Sequence, residues 1–310
     1  MKVLISSRSF GRVDGNAIEL LRKAGFTPIL NPRGQKLEFE EFAELIKDAI
    51  GLIAGTERIT EELLNRAKSL RVISRYGVGL DNIDLEAAKR RGIIVRAIQG
   101  APTQAVAELA LALMSNLYRR ISESDRNIRS GKWTQLLGRT LFGKTLGIVG
   151  LGRIGKAVVR LVQPLHMKII ACEPYPDQDF VRTYGIELAS LERLLAESDI
   201  VSIHVSLTEK TDHLIGKKEL TLMKKDAIIV NTARGRLIDE GALINALERR
   251  VIGGAAIDVF EEEPYSGKLK NFDNVILTPH IGSYTVETRI RMEKEAVENL
   301  INALKEVESR

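Results

Sequence analysis

The amino-acid sequence predicts an α/β protein with two lobes, each built around a parallel sheet, and an interdomain cleft between them. Short apolar, β-branched runs alternate with amphipathic segments along almost the whole chain, which is the pattern of βαβ units. The alternation comes in two consecutive series, each complete enough to form its own sheet. A length of 310 residues suits two medium-sized domains.

Composition and charge narrow the class of protein. The chain is 44% hydrophobic, 28% charged and 5% aromatic, which is ordinary for a soluble globular protein. Its apolar runs are too short for a signal peptide or a membrane span. The single cysteine, Cys172, excludes an intramolecular disulfide and indicates a reducing, cytoplasmic location.

A net charge of +5 is compatible with nucleic-acid binding. However, the basic residues alternate with acidic ones on the predicted helices and form no long stripe. We therefore expect no nucleic-acid or membrane partner, but a bias toward a small anionic substrate.

The first series of elements occupies roughly the first third of the chain. Apolar runs predict strands at 3–5, 29–30, 51–54, 72–74 and 93–95. Amphipathic segments between them predict helices at 16–24, 39–47, 60–67 and 84–91. One long helix is predicted next, from Thr103 to about Arg129, because its apolar residues fall on a single stripe.

The second series contains the chemically interesting positions. Strands are predicted at 146–149, 168–171, 200–204, 227–231, 255–258 and 275–277. Intervening helices are predicted to begin near Ile154, Leu191, Lys217 and Glu240, and a final helix runs from Thr285 to about Glu306. Ligands of parallel sheets bind at the carboxyl ends of strands, so the residues that follow these strands are the candidates for function.

A glycine-rich loop, GLGRIG at 150–155, directly follows a predicted strand and opens a helix. In this context the motif predicts a dinucleotide site in a Rossmann-like lobe. Gly150 would allow the tight turn, Gly152 the approach of the pyrophosphate and Gly155 the packing of the helix. The N–H groups at the helix start, near Arg153 and Ile154, would face the anion.

Glu173 stands at the tip of the next strand, near the expected distance from the glycines. A carboxylate there would accept hydrogen bonds from the adenosine ribose and repel a 2′-phosphate. The expected cofactor is therefore NAD rather than NADP.

Three polar clusters follow later strands: NTARG at 231–235, DVFEEEP at 258–264 and TPHIG at 278–282. They bring one cation, one acid and one histidine to the same edge of a sheet. Arginine pairs bidentately with a carboxylate, and histidine transfers a proton near neutral pH. A carboxylate beside the histidine favours the imidazolium. The set suits reduction of a 2-oxo acid, and no spacing resembles a metal site.

Together these motifs, with RYGVGLDNID at 75–84 and VAE at 106–108, resemble those of the D-isomer-specific 2-hydroxyacid dehydrogenases. The likeness is strongest to the phosphoglycerate dehydrogenase group and covers nearly the whole chain. It implies a substrate domain of residues 1–98 plus 284–310, flavodoxin-like or Rossmann-like, and an NAD-binding Rossmann domain of residues 99–283. It also implies a homodimer formed through the NAD-binding domain.

The resemblance assigns the catalytic roles to Arg234, Glu263 and His280. Glu263 is preferred because the family's acid directly precedes proline, although Glu261 and Glu262 adjoin it. The backbone of Val78 and Gly79 would hold the substrate carboxylate. The remaining implied cofactor contacts are Val205, Thr232, Ala233 and Asp258, the last of them to the nicotinamide carboxamide.

The expected substrate is 3-phosphoglycerate or 3-phosphohydroxypyruvate, a step of serine biosynthesis. This expectation depends on Arg75, which opens the predicted substrate loop, while pairing of Arg75 with Asp81 or Asp84 is the structural alternative. A glyoxylate or hydroxypyruvate reductase is the alternative activity. A NAD-sensing binding protein of the corepressor type is the alternative from another class.

Overall fold

The computed structural model describes residues 1–309 of the chain. It divides into two compact units. The first comprises Met1–Pro102 together with the segment from Tyr284 onward, and the second comprises Thr103–Ser283. The assignment of these units as substrate domain and NAD-binding domain stays a prediction, as does the cleft.

Strands and helices alternate through the first 102 residues. The strands are β1 Lys2–Ile5, β2 Thr27–Leu30, β3 Ala49–Ala54, β4 Val72–Arg75 and β5 Ile94–Ala97. The helices are α1 Asn16–Lys23, α2 Phe39–Ile46, α3 Glu61–Arg66 and α4 Leu85–Arg90.

The second unit has the same alternation after two consecutive helices. The helices of this unit are α5 Thr103–Arg119, α6 Ile121–Arg129, α7 Arg153–Val162, α8 Gln178–Tyr184, α9 Leu191–Glu197, α10 Lys217–Leu222 and α11 Glu240–Glu248. Its strands are β6 Thr145–Val149, β7 Lys168–Cys172, β8 Glu187–Leu188, β9 Ile200–Ile203, β10 Ile228–Asn231, β11 Gly254–Ile257 and β12 Val275–Leu277. The chain returns to the first unit with α12 Val286–Glu308.

The first unit contains a five-stranded parallel sheet in the order β2-β1-β3-β4-β5, which is the flavodoxin-like order. Helices cover both faces of the sheet, so the inner strand β1 is apolar, and its residues Leu4 and Ile5 are fully buried. Helix α12 packs closely on one face. The Ser74 hydroxyl on β4 donates to the Ala296 carbonyl of α12 at 2.7 Å.

The second unit contains a seven-stranded parallel sheet in the order β12-β11-β10-β9-β6-β7-β8. This is the order of a Rossmann sheet extended by one strand. The register brings the strand ends together, since Val149 pairs with Cys172 and Ile203, and Asn231 pairs with Ile203 and Ile257. The loops that follow these residues therefore meet at one edge. The predicted α/β class with parallel sheets is confirmed.

One element differs from the prediction. The expected long helix from Thr103 to Arg129 is two helices, α5 and α6, separated at Arg120, which has a left-handed φ of 53°. Asn116 causes the break locally: its side-chain carbonyl accepts from the Ser122 N–H at 2.9 Å and its amide donates to the Ser122 hydroxyl at 2.7 Å. The side chain thus replaces a backbone acceptor at the start of α6.

Two further elements were not predicted, the helix α8 and the short edge strand β8. Asp177 caps α8 by accepting from the Phe180 N–H, and Gly185 ends the helix with a φ of 60°. Both are recognisable stop and start signals in the sequence.

Candidate active site

The glycine-rich loop joins β6 to α7 at the carboxyl edge of the seven-stranded sheet. Gly150 has a φ of +94°, a conformation that favours glycine. A β-carbon on Gly155 would lie 2.3 Å from the Gly150 carbonyl oxygen, whereas one on Gly152 would meet nothing within 4 Å. Open space therefore lies at Gly152, beside the first turn of α7 formed by the exposed Arg153 and the half-buried Ile154. A pyrophosphate fits this combination.

Glu173 follows β7 and is bonded to the glycine-rich loop itself. Its Oε2 accepts from the Leu151 N–H at 3.0 Å, and its Oε1 accepts from the Tyr175 N–H at 3.0 Å. These bonds hold the carboxylate beside the loop. The contact of Glu173 with the adenosine ribose stays a prediction.

The next loops along the edge contribute Val205, Thr232 and Ala233. A β-carbon on Gly150 would come within 2.7 Å of the Val205 side chain, so Val205 lies directly against the glycine-rich loop. The Thr232 hydroxyl is buried and has no hydrogen-bond partner within residues 1–309. A buried hydroxyl without a partner costs free energy, so it is a candidate for bonding to a cofactor.

Arg234 is half-buried and held in a tightly fixed loop. The Asn231 side chain donates to the Arg234 carbonyl at 2.8 Å and accepts from the Ala233 N–H at 3.0 Å. A β-carbon on Gly235 would lie 1.9 Å from the carbonyl carbon of Phe260. Glycine is therefore required for the loop after β10 to touch the loop after β11.

Asp258 is fully buried at the end of β11. Its carboxylate accepts from the Thr278 hydroxyl at 2.6 Å and from the N–H groups of Ile281 and Gly282 at 2.8 and 2.9 Å. Burial raises the pKa of Asp258, and these hydrogen bonds together with the charge of His280 reduce the increase. Asp258 thus fixes both sides of the loop that carries His280, and its predicted contact with the nicotinamide stays a prediction.

His280 forms a pair with Glu263. The His280 Nδ1 lies 2.9 Å from Oε2 and 3.1 Å from Oε1 of Glu263. Burial raises the pKa of Glu263, but the bond and charge of His280, the Phe260 N–H and the charge of Arg234 bring this pKa below its ordinary value. The carboxylate therefore stays ionised, and Nε2 of His280 is the ring nitrogen left for other partners.

The neighbouring acids have other surroundings. Glu261 lies 3.2 Å from Nε2 of His213 and accepts from the Glu240 N–H at 3.1 Å. Within the described residues, only Glu263 of the three consecutive acids is hydrogen-bonded to His280. The structure thus brings Arg234, Glu263 and His280 to one edge of the sheet.

The predicted substrate residues lie in the first unit, in the loop after β4. Val78 is 46% exposed, and Gly79 is half-buried. Arg75, by contrast, is buried. Its Nε donates to the Asn82 side chain at 3.1 Å and its Nη1 donates to the Tyr76 carbonyl at 2.5 Å.

Two residues of this edge were not singled out from the sequence, Asn231 and Thr278. Both are polar residues directly after an apolar strand, so their position was a signal that they serve the site. Their contacts are with backbone and with Asp258. They position the functional loops and have no separate chemistry of their own.

Two further features concern metal binding and membrane insertion. Over the described residues, no group of three His, Cys, Asp or Glu side chains is arranged to bind a metal ion. None of the helices within residues 1–309 is both long and apolar enough to span a bilayer.

Comparison with known proteins gives consistent relatives. The chain is 44% identical over 267 residues to a glyoxylate reductase of Korarchaeum cryptofilum, covering 83% of this chain and 80% of the relative. It is 43% identical over 280 residues to a D-3-phosphoglycerate dehydrogenase of Methanocaldococcus jannaschii, covering 88% of this chain but only 52% of that protein. Among solved structures, D-lactate dehydrogenase of Aquifex aeolicus complexed with NAD and lactic acid has a TM-score of 0.85 and 30% identity, covering 96% and 93% of the two chains.

A family model described as D-isomer specific 2-hydroxyacid dehydrogenase, NAD binding domain, matches residues 111–282. The match lies within the second unit and contains the glycine-rich loop, Arg234, Glu263 and His280. NAD is therefore the cofactor. The chain belongs to the D-isomer specific 2-hydroxyacid dehydrogenases and is an NAD-dependent oxidoreductase of that family.

Proposed function

We propose that this enzyme reduces small 2-oxo acids that carry a single anionic group, such as glyoxylate and hydroxypyruvate. The observation that carries the proposal is the pair of His280 and Glu263, at 2.9 Å, with the charge of Arg234 acting on the same carboxylate. His280 supplies a proton, Glu263 orients the His280 ring, and Arg234 supplies a cation for the substrate.

Each residue has a distinct role in the proposed reaction. Bound NADH supplies the hydride that reaches C2 of the oxo acid. His280 donates a proton from Nε2 to the carbonyl oxygen, and Glu263 holds the imidazole ring through Nδ1 during this transfer. Arg234 pairs with the substrate through its guanidinium, which polarises or anchors an anionic oxygen.

Binding is assigned to both units. For the cofactor, we assign Gly152 and the first turn of α7 to the pyrophosphate, and Glu173 to the adenosine ribose. The unpartnered hydroxyl of Thr232 is assigned to another polar group of the cofactor. Val205, Ala233 and Asp258 complete the proposed cofactor set. For the substrate carboxylate, we assign the backbone of Val78 and Gly79, in the loop after β4.

The contacts of Arg75 argue against phosphate recognition at that position. Arg75 is buried, and its Nε and Nη1 donate to the Asn82 side chain and to the Tyr76 carbonyl, so these two donors serve the loop rather than a phosphate. Its role in holding the loop at 75–82 explains the presence of an arginine there. The similarity to a protein named glyoxylate reductase agrees with the smaller substrate.

Oxidation of 3-phosphoglycerate in serine biosynthesis is the second candidate, since a phosphoglycerate dehydrogenase matches at 43% identity. Steady-state oxidation of NADH with glyoxylate, hydroxypyruvate and 3-phosphohydroxypyruvate separates the two. We expect a higher kcat/KM for at least one of the unphosphorylated acids. A higher kcat/KM for 3-phosphohydroxypyruvate would establish the second candidate instead.

We also propose a homodimer formed through the NAD-binding domain. The segment that follows α5 exposes large apolar side chains that a monomer would leave in water. They are Ile121 at 52%, Ile128 at 53%, Trp133 at 86%, Leu137 at 93% and Phe142 at 59% exposure. A second copy of this chain is the partner that covers them.

A further inference from the structure

In the five-stranded sheet of the first unit, the order in which successive strands are added reverses between β1 and β3, which are neighbours. In open parallel sheets, ligands bind outside the carboxyl ends of the strands at such a switch point. Two loops meet there, one beginning at Ser6 after β1 and one beginning at Gly55 after β3. The second loop carries an acidic residue, Glu57, at this point.

Glu57 is 6% exposed, and both its carboxylate and its backbone carbonyl accept hydrogen bonds from neighbouring loops. The Ser6 hydroxyl donates to its Oε2 at 3.0 Å and accepts from the Gly55 N–H at 3.0 Å. The Asn82 side chain, in the loop after β4, donates to the Glu57 carbonyl at 2.7 Å. A β-carbon on Gly55 would lie 2.6 Å from Oε2, so glycine leaves the space that the carboxylate fills.

The charge of Glu57 is not neutralised by an ion pair. No Lys, Arg or His nitrogen of the described chain lies within 4.0 Å of its carboxylate. The adjacent Arg58 is exposed, and Arg75 donates to the Asn82 side chain and to the Tyr76 carbonyl. The switch point therefore presents a buried carboxylate in the same set of loops as Val78.

We propose that Glu57 is a specificity-determining residue that excludes 2-oxo acids with a second anionic group. This inference rests on the proposed function, because it concerns the same substrate site. Two like charges about 6 Å apart near a protein surface repel by an amount worth about a hundredfold in binding. A phosphate or second carboxylate at the distal end of the substrate would meet this repulsion, whereas a hydroxyl would hydrogen-bond to the carboxylate.

The test uses hydroxypyruvate and 3-phosphohydroxypyruvate, which differ only in the phosphate. The ratio of their kcat/KM values is measured for the wild type, Glu57→Gln and Glu57→Asp. Glu86→Gln, an exposed glutamate on α4, is the matched control for the change in net charge. Thermal unfolding of each variant checks that the fold is retained.

We expect Glu57→Gln to raise the relative kcat/KM for the phosphorylated acid by about 10- to 100-fold. Glu57→Asp keeps the charge and should stay within about threefold of the wild type, as should Glu86→Gln. An unchanged ratio in Glu57→Gln, or an equal change in Glu57→Gln and Glu57→Asp, would overturn the proposal. A wild type that prefers the phosphorylated acid would refute the proposed function alone, since the change caused by Glu57→Gln is measured independently of that preference.

Discussion

At the scale of residues, the pair of His280 and Glu263 determines the proposed proton transfer. The Glu263 carboxylate is ionised because its pKa is lowered, in part through the bond and charge of His280. The ionised carboxylate fixes the imidazole ring through Nδ1 and leaves Nε2 as the nitrogen for proton transfer.

Glu263→Gln should lower kcat/KM for NADH-dependent reduction by about tenfold or more, because the His280 ring loses the carboxylate that fixes it through Nδ1. The measurement is steady-state kcat/KM with an unphosphorylated 2-oxo acid. Glu261→Gln is the control, because Glu261 contacts His213 instead. An unchanged kcat/KM in Glu263→Gln would remove Glu263 from the proposed proton transfer.

Glu173 makes a second prediction at this scale. Its carboxylate is fixed by the N–H groups of Leu151 and Tyr175, so it would repel an added 2′-phosphate. The wild type should use NADH with a higher kcat/KM than NADPH, and Glu173→Gln should narrow the difference by about tenfold or more. Equal use of both cofactors by the wild type would show that Glu173 does not face the ribose.

The proposed catalytic residues could be singled out because each lies in a loop that follows an apolar strand and has a distinctive neighbour, such as the glycine after Arg234. The contacts that position them could not. Asp258 was expected to contact the cofactor, yet its bonds to Thr278, Ile281 and Gly282 depend on three-dimensional proximity of two strand ends. A linear pattern contains no information on such distances.

Loop contacts govern the site at the scale of elements. The loop after β10 touches the loop after β11 at Gly235, where a β-carbon would lie 1.9 Å from the Phe260 carbonyl carbon. Gly235→Ala must therefore push the two loops apart and displace Arg234. We expect a loss of about 1–3 kcal/mol in the free energy of unfolding, together with reduced kcat.

Gly100→Ala is the matched control, because a β-carbon there meets nothing within 4 Å. Its unfolding free energy should change by less than about 0.5 kcal/mol. Chemical denaturation of both variants measures the difference. Equal stability of the two variants would mean that the loops adapt without cost.

The strands were predictable to within a few residues because buried parallel strands form continuous apolar runs, as in β6 and β9. The break between α5 and α6 was not, because the apolar stripe continues across it. Asn116 and Ser122 form the bonds that interrupt the helix, and such side-chain to backbone contacts compete with helix geometry without altering the apolar pattern.

At the scale of the whole molecule, we expect two copies of this chain to associate. Trp133 and Leu137 are 86% and 93% exposed, and the proposed dimer buries them. Light scattering after gel filtration should give twice the chain mass for the wild type. A double variant with Trp133→Glu and Leu137→Glu should shift toward the monomer. A control double variant with Glu62→Gln and Glu86→Gln, two exposed positions, should stay a dimer. A monomeric wild type would contradict the proposed dimer.

The proposed reaction of this chain is transfer of a hydride from NADH to C2 of a 2-oxo acid with D specificity, with the proton supplied by His280. The most direct measurement is reduction of hydroxypyruvate with NADH deuterated at C4 on the transferred face, followed by chiral separation and mass analysis of the glycerate. We expect D-glycerate with one deuterium at C2, and a loss of about 10²–10⁴ in kcat for His280→Ala with unchanged NADH affinity. L-glycerate, product without deuterium, or near-wild-type turnover by His280→Ala would contradict this mechanism.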